Sequence, residues 1–321
     1  MDLTTFLNLL TIIGVLFMVM LVGYWCRHRD IINDVSSNRM SKLIIEIGQP
    51  ALIIGALISK PFSWELLREG LLYLAIGFLL HPLMGVIALL CGRFFPEPDE
   101  KNLSAFALTF TNAAFIGFPI LAAIFPGKGP FYGAFFVVGF NVYVWTFGIW
   151  LLSRGRDDIK LTPKKALLNF GTVPCFIGLA LYLLKAVAPT PTLLVDFCGY
   201  LGNLCMPISV LIIGALIATQ DLGAILKSPH LYLFNTIKLI VLPLIVCVIA
   251  KLVTLGFANS YELVMFCTVI SALPSASTVA MLAELYGIKP GYAAQAVGSS
   301  SIFSVATLPL LYFIGDFVAK L

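Results

Sequence analysis

Residues 52–58 read LIIGALI, and residues 211–217 read LIIGALI again. The copies stand 159 residues apart (211 less 52), about half of the 321-residue chain. In a chain this apolar, identity at one position arises by chance about one time in ten, so seven in a row is on the order of 10⁻⁷ per comparison. A whole-chain duplication is therefore the first hypothesis to test.

Hydrophobic residues make up 60% of the chain and charged residues 11%, with a mean hydropathy of +1.00. A soluble domain is nearer half apolar and a quarter charged. No soluble core of this length hides so much apolar side chain, so most of the chain is expected to face a lipid bilayer. The formal net charge of +4 is small and spread over loops, which argues against a nucleic-acid partner. The seven cysteines form no CxxC pair, so neither a metal site nor a disulfide framework is indicated, and no cofactor is expected. Residues 1–29 lack a basic leader and carry an apolar run too long for a signal peptide, so they read as a first membrane helix.

About 20 apolar residues in a helix span the hydrocarbon. That measure gives ten spans: 4–25, 42–59, 66–92, 102–125, 131–152, 166–187, 195–219, 229–252, 261–285 and 292–316. Shifting the first five by 159 residues lays each over one of the second five. Because five is odd, the second copy enters the membrane from the opposite side. The expected fold is thus an all-α integral membrane protein built as a five-plus-five inverted-topology repeat. The repeats are residues 1–160 and 161–321. Spans 1, 2, 6 and 7 are expected to form a scaffold, able to pair as a homodimer, and spans 3–5 and 8–10 a transport core.

Thirteen Lys and Arg residues lie in or beside the loops that follow odd-numbered spans, from Arg27 and Arg29 to Lys289. Five (Lys60, Arg68, Lys128, Lys185 and Lys251) follow the even ones. The positive-inside rule then places the odd loops in the cytoplasm and both termini outside, across the plasma (inner) membrane. The most polar stretch, SRGRDDIKLTPKK at 153–165, joins the halves.

Two spans are interrupted, and the 159-residue offset pairs them. Span 4 contains TFTNAAFIGFPIL, with Asn112, Gly117 and Pro119; span 9 contains VISALPSASTVAML, with Ser271, Pro274, Ser275 and Ser277. A proline within a helix removes one backbone donor and crowds the preceding turn. In a membrane the freed polar groups must be met by protein, water or ligand. Proline also suits the first turn of a helix, so Pro119 and Pro274 are read as starting the second half of two discontinuous, crossing helices. Their N-terminal ends would face each other at the midplane, each with about half a positive charge and free N–H groups. Such a pair of ends suits an anion, with Asn112, Ser271 and Ser275 adding side-chain hydrogen bonds to a carboxylate. Of the ionisable residues within spans, Lys238 could neutralise an anion or pair with a carboxylate, His81 could relay protons, and Glu284 could take part in cation or proton coupling.

The chain also resembles the auxin efflux carrier family. The likeness rests on TNAAFIGFPI (111–120) and on 273–313, where Pro274, Glu284, Tyr286, Pro290 and Pro309 stand as in that family's closing region. The resemblance implies that Asn112, Gly117 and Pro119, completed by Pro274 and its neighbours, hold a substrate carboxylate. It also implies a fold similar to that of the bile acid sodium symporters. The single proline in the span 4 break and the short central loop depart from the plant auxin exporters. Together these readings point to a secondary transporter, most simply an efflux carrier, of a small mono- or dicarboxylate. The alternatives are a sodium- or proton-coupled symporter of the bile acid type and a membrane sensor that binds the anion without moving it. No Ser–His or Asp–Asp pair recurs at helical spacing, so enzymatic activity is not expected.

Overall fold

The computed structural model describes residues 3–95, 97–156, 168–220, 223 and 227–321. These residues are helical almost throughout and form no β-strand. Among the described residues, seven helices are long and apolar enough to cross a membrane. In the numbering used below, these are α1 (Leu3–His28), α2 (Asp34–Ile58), α3 (Trp64–Phe94), α6 (Gly129–Ser153), α8 (Thr192–Ala218), α9 (Pro229–Val253) and α12 (Pro290–Lys320). Between them stand α4 (Pro98–Thr109), α5 (Gly117–Ile124), α7 (Thr172–Leu184), α10 (Ser260–Ala272) and α11 (Ser277–Leu285).

Each expected span therefore corresponds to helix, with three differences. The stretches 102–125 and 261–285 are two helices each, α4–α5 and α10–α11, split by non-helical backbone. The stretch 166–187 contains a helix of 13 residues. Its first residues, the expected repeat boundary at 160/161, and Lys160, Lys164 and Lys165 lie outside the described residues. Finally, α2 begins eight residues earlier than hydropathy indicates. Asn33 accepts from the Ser36 N–H while the Ser36 hydroxyl accepts from the Asn33 N–H, a reciprocal cap that starts a helix regardless of hydropathy. Glu46 consequently lies well inside α2, in its wide turn Ile44–Gly48.

Three helices contain one wide π-turn each, at Ile44–Gly48 in α2, Val144–Gly148 in α6 and Ile237–Val241 in α9. Pro50 and Pro243 follow two of these turns. A proline cannot donate to the carbonyl four residues back, and widening the preceding turn absorbs the mismatch.

Packing is closest where glycines let backbones touch. A Cβ on Gly214, the glycine of the second LIIGALI, would stand 1.9 Å from the Met20 carbonyl oxygen, and one on Gly23 would stand 2.1 Å from that of Leu211. Thus α1 and α8 meet backbone to backbone, a contact that only small residues allow in a membrane. In the same way α3 meets α6 at Gly77 and Gly139. The outer surface carries exposed large apolar side chains such as Leu79, Val187, Leu193 and Phe317, as a lipid-facing surface requires.

Candidate functional site

The two helix breaks meet in the interior. After Thr109 the backbone of Phe110 turns extended (φ −102°, ψ 119°), and after Ala272 that of Leu273 does the same (φ −63°, ψ 150°). Thr111 and Ser275 then pair as an isolated antiparallel bridge. The Asn112 N–H donates to the Pro274 carbonyl at 2.9 Å, and the Ala276 N–H donates to the Phe110 carbonyl at 3.0 Å. Each break thus satisfies backbone groups that the other leaves open, which is how non-helical chain survives at membrane depth. Gly117 lies at the contact: a Cβ there would come within 2.9 Å of Leu273 Cδ1.

Pro119 falls in the first turn of α5. Pro274 does not start a helix; it lies in the extended crossing segment, and α11 begins three residues later at Ser277. The reason is the bridge, which needs Pro274's carbonyl and holds 273–276 extended.

The hydroxyls divide differently from the expectation that they serve a ligand. The Ser271 hydroxyl lies 2.7 Å from the Cys267 carbonyl and 2.9 Å from that of Thr268, within its own helix. The Ser275 hydroxyl donates to the Ala107 carbonyl at 2.9 Å, closing the C-terminal end of α4. Asn112 is different. It is 3% exposed, and its side-chain Nδ2 is buried without a hydrogen-bond partner among the described residues. A buried amide left unsatisfied costs about 1–3 kcal/mol, so it marks a place that a ligand acceptor would complete.

Lys238 is fully buried, in the π-turn of α9. Its ammonium meets no carboxylate among the described residues; Nζ donates at 3.0 Å to the Leu108 carbonyl, in the last turn of α4. His81, also buried, places Nδ1 2.6 Å from the Gly77 carbonyl among the rings of Phe110, Phe136, Phe140 and Tyr143. Glu284 stands apart at the end of α11, where it accepts from Asn38 Nδ2 at 2.9 Å.

Two cavities flank the crossing. One, of about 240 Å³, opens between Asp34, Asn38 and Glu284 and reaches Ser41, Ser209, Ser277 and Phe115. The other, of about 480 Å³, is bounded by Lys60, Gly127 and Asn203 and reaches Ala114 and Pro119. Along α2 the first ends at Ile45 and the second starts at Leu52, a separation of about 10 Å. A small apolar cluster of Ile44, Phe115 and Cys205, flanked by Leu52, Ala114 and Ile208, fills the gap. None of the plug residues was singled out from sequence, because apolar residues in an apolar chain carry no contrast. Ser300, whose hydroxyl accepts from the Ser275 N–H at 3.1 Å, was also missed; the run Ser299–Ser300–Ser301 within α12 was its available signal. Gln49 and Asn141 join across α2 and α6 at 3.5 Å.

A family model described as membrane transport protein matches residues 9–166 and 158–312. The chain belongs to the auxin efflux carrier family of membrane transport proteins. With several long apolar helices, this member is a multi-pass membrane protein. A similar chain from Methanothermobacter thermautotrophicus, named an uncharacterized transporter, is 23% identical over 302 residues, covering 94% of this chain and 96% of that one.

Proposed function

We propose that this family member is a secondary carrier of a small organic anion, a mono- or dicarboxylate, working by alternating access around the crossing of α4–α5 and α10–α11. In this reading α1, α2, α7 and α8 form the scaffold, the remaining helices form the core, and the ten spans make a five-plus-five inverted repeat in the inner membrane with both termini outside. The observation that carries it is the buried, partnerless Nδ2 of Asn112, set in the break between the N-terminal ends of two half-helices. Those ends supply positive potential and N–H groups, and Asn112 supplies the donor that fixes a carboxylate. Gly117, Pro119 and Pro274 shape the crossing backbone, and Ser277 contributes at the start of α11.

The cavities favour a carrier over a sensor. Both are lined by α2 and α8 on one side; on the other, the first is lined by α11 and α12 and the second by α5 and α6. They lie along the expected boundary between scaffold and core, at opposite ends of α2, with the Ile44–Phe115–Cys205 cluster beside both. Sliding that seam past the crossing would open the site to each side in turn. With the cell interior negative, each net negative charge leaving gains about 2.3 kcal/mol per 100 mV, so efflux needs no coupled ion.

The test is flux in proteoliposomes loaded with labelled malate, malonate or indole acetate, with sodium, pH and potential varied in turn. A carrier gives saturable flux for at least one of them; flux for none, with binding retained, would replace the carrier by a sensor.

A further inference from the structure

Lys238 is the one fully buried cation among the described residues, and the backbone geometry around it is unusual. The ion pairs of the described chain involve other residues: Arg27–Asp34, Lys128–Glu69, Arg156–Asp99, Lys289 with Glu97 and Glu100, and Lys320–Asp316. Lys238 instead donates to Leu108 O at 3.0 Å, a carbonyl in the last turn of α4. The last four carbonyls of a helix have no partner within it and carry about half a negative charge. Here the Ser275 hydroxyl takes the Ala107 carbonyl and the Phe110 N–H takes that of Phe106, leaving Leu108 to the ammonium.

His81 is close enough to interact with its charge, and Phe234 and Ile237 beside it on α9 belong to an apolar cluster. One turn earlier on the same helix, Asn235 donates Nδ2 to Ser299 Oγ at 2.9 Å. In carriers built on broken helices, such C-terminal half-helix ends are where a coupled cation binds. A buried cation balanced only by carbonyl dipoles is costly. An anion at the neighbouring half-helix ends would offset that cost.

We propose that the Lys238 ammonium is a resident counter-cation of the crossing. It holds the C-terminal end of α4 in the place a coupled metal cation would take, and it offsets one charge of the substrate, so that transport needs no bound sodium or potassium. Lys238 acts as a positioning residue, through α4 and the field at the crossing, rather than by touching the substrate. The inference rests on the carrier reading above.

The experiment uses the full chain in proteoliposomes with labelled malonate, malate and indole acetate as probes, alongside thermal melting of the same samples. Wild-type flux is expected to agree within about twofold in sodium, potassium and choline media. Lys238→Met removes the charge at similar length; it should melt at or above the wild-type temperature, because an incompletely paired buried charge is gone, while flux falls at least tenfold. Lys238→Arg should keep measurable flux, since it keeps the charge, and it serves as the comparison if the methionine variant does not fold. Wild-type flux that rises severalfold with sodium or potassium would overturn the inference while leaving the carrier reading intact. So would a folded Lys238→Met with wild-type flux, or a folded Lys238→Arg with none. Absence of saturable wild-type flux for all three probes would remove the carrier reading, and this inference with it.

Discussion

Replacing Asn112 by alanine should weaken substrate binding and leave the empty protein no less stable, two effects that normally move together. The Nδ2 group is buried without a partner in a residue 3% exposed, so the empty protein already bears a desolvation cost of about 1–3 kcal/mol. Truncation to alanine removes that cost, against a smaller loss of packing from a short polar side chain. In the loaded state the same group donates to a carboxylate, and a hydrogen bond to a charged acceptor is worth about 1.5–3 kcal/mol. At 1.4 kcal/mol per decade the expected loss is about ten- to hundredfold in Kd. The assay pairs equilibrium binding of a labelled carboxylate in detergent with thermal melting of the ligand-free protein. An unchanged Kd would refute the reasoning, and so would a large drop in melting temperature with affinity retained, which would make Asn112 a structural residue.

Other perturbations act on the frame of the site. Gly214→Val would drive a side chain into the Met20 backbone, 1.9 Å from where its Cβ must stand, and should destabilise the α1–α8 contact by about 3 kcal/mol or more, read as loss of folded protein on size-exclusion chromatography. Ser275→Ala leaves the Ala107 carbonyl without its hydroxyl donor, at a cost of about 1–3 kcal/mol visible in melting. Phe115→Ala empties the centre of the plug and should join the two cavities, seen as faster non-saturable leak of label from loaded liposomes. Outside the membrane, Glu100 and Glu97 raise the pKa of Lys289 above the ordinary lysine value. A raised lysine contributes stability below its unfolded pKa, about 10.4, and loses it as pH rises beyond the folded value. The link between the starts of α4 and α12 should therefore hold at neutral pH and loosen only in strong alkali, which hydrogen exchange at those helix ends would show.

Much of the helical layout was legible because hydropathy over twenty residues is a strong signal in a chain that is 60% hydrophobic. The same signal misplaced the start of α2, where capping by Asn33 outweighs polarity. Pro119 and Pro274 marked the two breaks from sequence, and the 159-residue offset paired them. What joins the breaks was not legible. The bonds between Phe110 and Ala276 and between Asn112 and Pro274 run through backbone atoms, which every residue type carries alike. For the same reason Ser271 and Ser275 read as ligand donors although their hydroxyls face carbonyls, and Lys238 stood out as a buried charge while its partner, the Leu108 carbonyl, did not. LIIGALI itself lies on packing surfaces, its glycines against Cys198 in the first copy and Met20 in the second.

The crossing is proposed to bind an anion and carry it across. Counterflow tests it most directly: proteoliposomes loaded with unlabelled malonate, malate or indole acetate and diluted into the same labelled anion, with wild type and Asn112→Ala measured side by side. Transient, saturable accumulation of label driven by the internal anion is expected for at least one of the three, with at least a tenfold lower rate at subsaturating label in the variant. Uptake that ignores the internal anion, or counterflow that Asn112→Ala leaves unchanged, would contradict this proposal.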